Sequence, residues 1–178
     1  MINESKYVEV LEFLLDREHG ANNLLLGKVK LMKLLYFADF DHYFAHGASI
    51  TGETYVKLDF GPVPRHADEI LRKMGHELEE LRVERVGSAA GFQYRYNLQD
   101  RSIRQAQYLT SQERDTLVAV VNRWRDSETS EIVSASHADP PWRMVRRGEE
   151  IPYHLVYYRR HVAPVNDEEP PIIVMQPS

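Results

Sequence analysis

LLLGKVKLMKLLYFADFDHYFAH, residues Leu24–His46, is the most apolar stretch of this 178-residue chain. Its apolar positions recur at helical spacing. Leu31, Leu34, Leu35 and Ala38 form one stripe, and Met32, Tyr36, Phe40, Tyr43 and Phe44 form a second. A helix apolar on two sides has to be packed on two sides, so this segment is expected to be a buried central helix, ended by Gly47. Its sequence neighbours must supply the cover. Upstream, Tyr7, Leu11, Leu14 and Leu15 give one face to a helix over about Ser5–Arg17, with Gly20 placed for a left-handed stop. Asn22 and Asn23 then offer a turn and a cap.

Downstream, Ser49 to Phe60 carries Thr51-Gly52 and then Tyr55, Val56, Leu58 and Phe60, too irregular for a helix. It reads as an extended arm across the core. Gly61-Pro62-Val63-Pro64 reads as a stiff corner, because each proline fixes its own φ and biases its predecessor. Pro64 fits the first position of a third helix, in which Ala67, Ile70, Leu71 and Met74 face inward and Gly75 is the stop.

From Leu81 the period changes to two. Leu81 and Val83 alternate with charges, Gly87-Ser88-Ala89-Ala90-Gly91 intervenes, and Phe92, Tyr94, Tyr96 and Leu98 follow. That is a hairpin whose aromatic face should lie on the helices, since two strands rarely stand alone. Thr110-Ser111-Gln112-Glu113 is a capping box opening a helix with Leu117, Val120, Val121 and Trp124 inward. A short helix over about Thr129–His137 ends at Asp139-Pro140-Pro141, and Trp142–His161 reads equally as short helix or strand. The fold class is α+β, mainly α: a compact helical bundle around the central helix with a small antiparallel hairpin packed on it.

No internal repeat or interior linker divides the chain, so residues 1–163 are expected to form one domain. Residues 164–178 form a C-terminal tail with four prolines and an acidic triplet, Asp167-Glu168-Glu169. That composition is linker-like, although Ile172-Ile173-Val174-Met175 could pair with an edge or a partner. Twenty-two Lys+Arg against 27 Asp+Glu is the wrong balance for a protein that mainly coats nucleic acid. With no cysteine, disulfide frameworks, thiol catalysis and Cys-based zinc sites are excluded. The start lacks a signal-peptide pattern and no run is long enough to span a membrane, so a cytoplasmic protein is expected.

Catalytic patterns are weak. Asp39, His42 and His46, spaced i, i+3 and i+7, could face one way and hold a metal, which makes a metal-dependent hydrolase a further alternative. The plainer account is that the histidines solvate the end of a buried helix and complement its dipole. His76-Glu77-Leu78-Glu79-Glu80 lacks the second histidine of a zinc-protease helix. Ser134, Ser136, His137 and Asp139 crowd one stretch, but triads assemble in space, and sequence neighbours usually point apart. There is no phosphate-binding glycine loop. No catalytic residue or cofactor is assigned.

One charge cluster is distinctive. Pro140–His161 holds five arginines and two glutamates, a local +3 on a chain of −5. Arg143, Arg146 and Arg147 form one group, and Arg159 and Arg160 another, beside Tyr153, Tyr157 and Tyr158. Arg with Tyr is the composition of protein-interface hot spots. It also suits phosphate contact and base stacking, so a nucleic-acid-binding regulator is the alternative reading. A solvated face accounts for the same residues.

Four pieces in order carry a resemblance. They are Lys30-Leu31-Met32-Lys33-Leu34-Leu35-Tyr36, Thr51-Gly52, Gly61-Pro62-Val63 and Ser136-His137 followed by Trp142. Together, over about residues 25–142, they resemble the SocA-like antitoxin family, also called the Panacea domain. The resemblance implies a mainly helical domain that neutralises a toxin protein, usually encoded beside it, without catalysis. It also implies that some members act as adaptors delivering a toxin to a cellular protease. Many members carry an added DNA-binding domain, and nothing outside the core of this sequence is expected to be large enough to be one. Motif residues shared by binders of unrelated toxins should build the scaffold: Lys33, Tyr36, Thr51, Gly52, Gly61, Pro62, His137 and Trp142. Toxin contacts should then lie on Arg143, Arg146, Arg147, Tyr157, Tyr158, Arg159 and Arg160, and on the tail.

Overall fold

The computed structural model describes residues 2–22, 26–76, 81–88, 91–98 and 107–161. The Asn23 cap, Glu77–Glu80, the Ala89-Ala90 turn and the 164–178 tail fall outside them. The order is α1 (Glu4–Asn22), β1 (Leu26–Gly27), α2 (Lys28–His46), β2 (Tyr55–Leu58), β3 (Gly61–Pro64) and α3 (Ala67–His76). Then come β4 (Leu81–Ser88), β5 (Gly91–Leu98), α4 (Ser111–Trp124), α5 (Thr129–Ala138), α6 (Pro140–Arg143) and a 3₁₀ helix (Tyr153–His161). The architecture is α+β with small antiparallel sheets.

Every residue of α2 from Lys30 to Phe40 is buried. The helix starts at Lys28 rather than Leu24, because Leu26 and Gly27 are extended and pair with Tyr96 and Arg95 of β5. It ends as expected at Gly47, in a left-handed conformation, whose N–H donates to Tyr43 O. Tyr7, Val10, Leu11 and Leu14 bury the inner face of α1. That helix runs through Gly20 to Asn22, so Gly20 is no stop.

The region read as arm and corner is a hairpin. β2 and β3 pair from Tyr55↔Pro64 to Leu58↔Gly61, leaving Asp59 and Phe60 as a two-residue turn. Proline lacks a ladder donor but is tolerated in a strand with a neighbour on one side only, which is the position of β3. Pro64 therefore belongs to a strand, and α3 begins at Ala67. Gly75 lies inside α3, where a Cβ would come 3.3 Å from the Leu81 carbonyl oxygen. The outer edge of β2 is closed by the chain after α6. Lys57 N–H donates to Glu149 O, Gly148 N–H to Lys57 O, and Ile151 N–H to Tyr55 O.

β4 and β5 form the expected hairpin, and β1 adds a third strand that periodicity did not indicate. Only the base of its aromatic face lies on the helices. Leu81 and Tyr96 are buried, whereas Tyr94 and Phe92 stand in solvent. The capping box at Thr110 and Glu113 is formed in both directions, and Leu117, Val120 and Val121 are buried. The half-buried Trp124 stacks on Phe37. Pro140 starts α6 as well as ending α5. The ambiguous region resolves into α6 and the 3₁₀ helix. Among the described residues no helix is long and apolar enough to cross a membrane.

Candidate partner-binding site

Buried charged groups fasten the β2–β3 hairpin to the helices. Lys33 on α2 is 2% exposed, and its ammonium donates to the Pro62 carbonyl at 2.7 Å. Burial pushes this lysine down to about 8. Gly61 lies against it with φ +98°, and a Cβ there would come 2.8 Å from both Lys33 Nζ and Ser136 Oγ.

Asp39, fully buried, holds the segment leading into the hairpin. Its Oδ1 accepts from the N–H groups of Ile50 and Thr51, both at 2.9 Å. Its Oδ2 accepts the Thr51 hydroxyl at 2.5 Å and the Tyr55 hydroxyl at 2.7 Å. Burial pushes the carboxyl up to about 6 against the opposing effect of these donors. Gly52, beside Thr51, has φ +72°.

Glu53 completes the frame. Its carboxylate accepts from the Tyr7 hydroxyl at 2.6 Å and from the His66 N–H at 3.0 Å, and His66 Nδ1 lies 2.8 Å away. The Tyr153 hydroxyl donates to the Glu53 carbonyl at 2.6 Å. Burial, with the nearby carboxylates, raises the phenols of Tyr7, Tyr55 and Tyr153, so each stays protonated and able to donate.

What this frame presents is the turn. Phe60 is 78% exposed, and Leu58 beside it and Met144 after α6 are exposed too. Phe60 therefore does not cross the core as its place in the arm suggested. Arg147 clamps the turn by donating to both carboxylate oxygens of Asp59, at 2.6 and 2.9 Å. Lys57 donates to Val145 O and sits 4.1 Å above the ring of Trp142, which stacks on His137. Arg143 and Arg146, on the stretch of chain that leads to Arg147, are exposed. An exposed aromatic amid arginines, on a tied-down hairpin, suits protein recognition.

The expected strip is thus divided. Arg147 lies at the turn beside Phe60, through Asp59, and Arg143 and Arg146 stay exposed. Arg159 turns inward, donating to Asp139 from Nε at 2.7 Å and Nη2 at 2.5 Å, and to Asp41 from Nη1 at 2.6 Å. Tyr36 donates to the same Asp139 at 2.7 Å. Tyr157 and Tyr158 are exposed on the 3₁₀ helix, Tyr157 near Tyr43 and Phe44; the side chain of Arg160 lies outside the described residues. Asp39, His42 and His46 do not assemble a metal site. Asp39 is engaged by the arm, His42 Nδ1 lies 2.9 Å from Thr116 Oγ1 on α4, and no metal-holding cluster occurs among the described residues. Nor do Ser136, His137 and Asp139 form a triad: Ser136 donates to Val133 O, and Asp139 is taken by Tyr36 and Arg159.

Sequence reasoning assigned no binding role to Glu53, Asp59 or Phe60. A signal for the last two existed, since Asp59-Phe60-Gly61 separates two β-prone runs as a tight turn would. Glu53 carries none, because an acid beside Thr51-Gly52 looks like any solvated one.

Comparison with known families bears on this geometry. The model of the antitoxin SocA-like, Panacea domain matches residues 31–143. The chain belongs to that family. The Panacea match begins within α2 and ends with α6, so it contains the Lys33–Pro62 and Tyr36–Asp139 contacts and the whole β2–β3 hairpin. Tyr7, Tyr153 and Arg159 brace the Panacea region from outside the match. No curated protein and no solved structure matches the chain.

Proposed function

We propose that this chain is a non-catalytic antitoxin that binds a toxin protein directly, through the β2–β3 turn and the flank carrying Arg143, Arg146 and Arg147. Membership of an antitoxin-like family supports a toxin partner. The observation that carries the surface is Phe60, exposed on a hairpin whose base is held by three buried charged side chains. A rigid aromatic anchor loses little freedom on binding, which is why such residues dominate interfaces. An interface of standard size covers about 800 Å² per partner. The family's shared residues Lys33, Tyr36, Thr51, Gly61 and Pro62 then hold the hairpin, and the cytoplasm is the compartment in which it meets its toxin. Delivery of the bound toxin to a protease would be a later step on the same complex.

The test is coexpression with the neighbouring gene. Phe60→Ser, and separately Arg143→Glu with Arg146→Glu and Arg147→Glu, should abolish growth rescue and co-purification while the protein stays folded. Full rescue by both variants removes this surface from the interface. The nucleic-acid reading loses ground, because Arg159 is spent internally and Arg147 on Asp59.

A further inference from the structure

We propose that the outer edge of β4 pairs with the same edge of a second copy of this chain, antiparallel and centred on Val83, so that two three-stranded sheets become one.

The edge is open and regular. β4 is the terminal strand in the order β1-β5-β4, and it pairs with β5 in unbroken register from Leu81↔Leu98 to Ser88↔Gly91. It contains no proline, no lysine and no bulge, the usual devices that turn an edge away from another strand. Among the described residues no backbone group of β4 bonds outside this ladder. The other hairpin differs, since the outer edge of β2 is closed within the chain by Gly148, Glu149 and Ile151. Helix α3 leaves the β4 edge free. It shares a groove with Val83, Tyr94 and Tyr96, which point to one side of the hairpin, so it lies over that face.

What this edge fits is itself. Residues directly opposite in an antiparallel pair share a face and interact, so opposing charges select the register. With Val83 opposite Val83 of the copy, Arg82 falls opposite Glu84 of the copy, and the two-fold axis repeats the pair. Among registers that keep like faces together, centring on Glu84 sets two carboxylates face to face. Centring on Arg82 or Arg85 does the same with guanidiniums. Within one chain Arg82 Nε stands 3.6 Å from Glu84 Oε1, and both side chains remain open to solvent. The copy turns that loose pair into an array of four alternating charges, which holds better than an isolated exposed pair. It also covers Val83, an apolar side chain 46% exposed in the single chain. None of these residues belongs to the proposed toxin surface, so the two readings stand or fall separately.

Sedimentation of the full chain should show a dimer. Arg82→Glu and Glu84→Arg each set like charges opposite one another, so each should halve the molar mass while the melting temperature holds. Mixing the two single variants should restore the dimer, since each then offers the charge that the other lacks. The chain has no cysteine, so Val83→Cys supplies a single thiol. It should cross-link to its counterpart on mild oxidation, because opposite residues lie about 4.5–5.5 Å apart at Cα, within disulfide reach. Val86→Cys should not, since three residues on each side of the axis separate its thiols by about 20 Å. A natural chain that stays monomeric at millimolar concentration overturns the proposal. So does a dimer indifferent to both charge substitutions, a mixture that stays monomeric, or cross-linking by Val86→Cys in place of Val83→Cys.

Discussion

Lys33 Nζ donates to the carbonyl of Pro62 at 2.7 Å, and the chain makes that approach at Gly61, whose φ of +98° is unsuited to other residues. The lysine is long enough to span from α2 to β3 only because nothing stands between. Gly61→Ala would add a Cβ 2.8 Å from both Lys33 Nζ and Ser136 Oγ. Backbone strain of about 1–2 kcal/mol adds to displacement of the ammonium from its only close acceptor among the described residues. Urea denaturation of Gly61→Ala should show a loss of about 2–4 kcal/mol. In Lys33→Met the same glycine change should cost about 1 kcal/mol less, since the clash with the ammonium is gone and those with Ser136 Oγ and the side chain's Cε remain. Strict additivity would mean that the two residues are not coupled.

Asp39 makes stability depend on pH in a direction opposite to that of most carboxylates. Its folded value, about 6, lies above the ordinary 3.8, so the folded state binds its proton more tightly than the unfolded chain does. The contribution is fully present below about pH 4 and is lost as pH rises through 6. A shift of two units corresponds to about 3 kcal/mol. The stability of the natural protein relative to Asp39→Asn should therefore fall by about that amount between pH 4 and pH 7. Parallel urea midpoints across this range would refute it. Asp39→Ala, which strands four donors at about 1–3 kcal/mol each, should not fold stably.

How much of this was legible follows from which interactions are local. Helices α2, α3 and α4 show in the sequence because their apolar positions repeat within each segment, and the Gly47 stop of α2 and the Thr110 cap of α4 are neighbours in the chain. Gly61-Pro62-Val63-Pro64 reads as a corner because prolines suggest one locally; its strand pairing needs Tyr55–Leu58, whose alternation is short. β1 is two residues long and is defined by Tyr96, some seventy positions away. The buried roles of Glu53 and Asp139 depend on Tyr7, His66, Tyr36 and Arg159, none adjacent in sequence. The arginine cluster was visible as composition, but only folding separates Arg147 on the surface from Arg159 inside.

Phe60 offers a clean separation of folding from recognition. With 78% of its surface exposed, it contributes little to the core, and Phe60→Ser should change stability by no more than about 0.5 kcal/mol. A hot-spot aromatic is worth about 2 kcal/mol or more to its interface, some thirtyfold in affinity. Thermal melting and partner capture, measured on the same preparations, should therefore disagree. A large drop in melting temperature would show that the side chain supports the hairpin instead of displaying it.

Arg147 and Arg159 are both paired with aspartates, yet their environments reverse what the pairs are worth. Arg147 and Asp59 are mostly exposed, where water and salt screen the attraction and an ion pair contributes little. Arg159 is 22% exposed and Asp139 5%, and the guanidinium meets two carboxylates. Burial acts to lower the arginine, but Asp139 and Asp41 hold it charged above its ordinary value. Removing it leaves Asp139 buried with only Tyr36 as donor among the described residues. Arg159→Met should therefore cost about 3–5 kcal/mol, and pairing it with Asp139→Asn should recover much of that loss, because the stranded charge is the main penalty. Arg147→Met should leave the unfolding midpoint unchanged within error and lower partner capture. Equal destabilisation by the two single substitutions would contradict this division of the cluster into a buried brace and a surface contact.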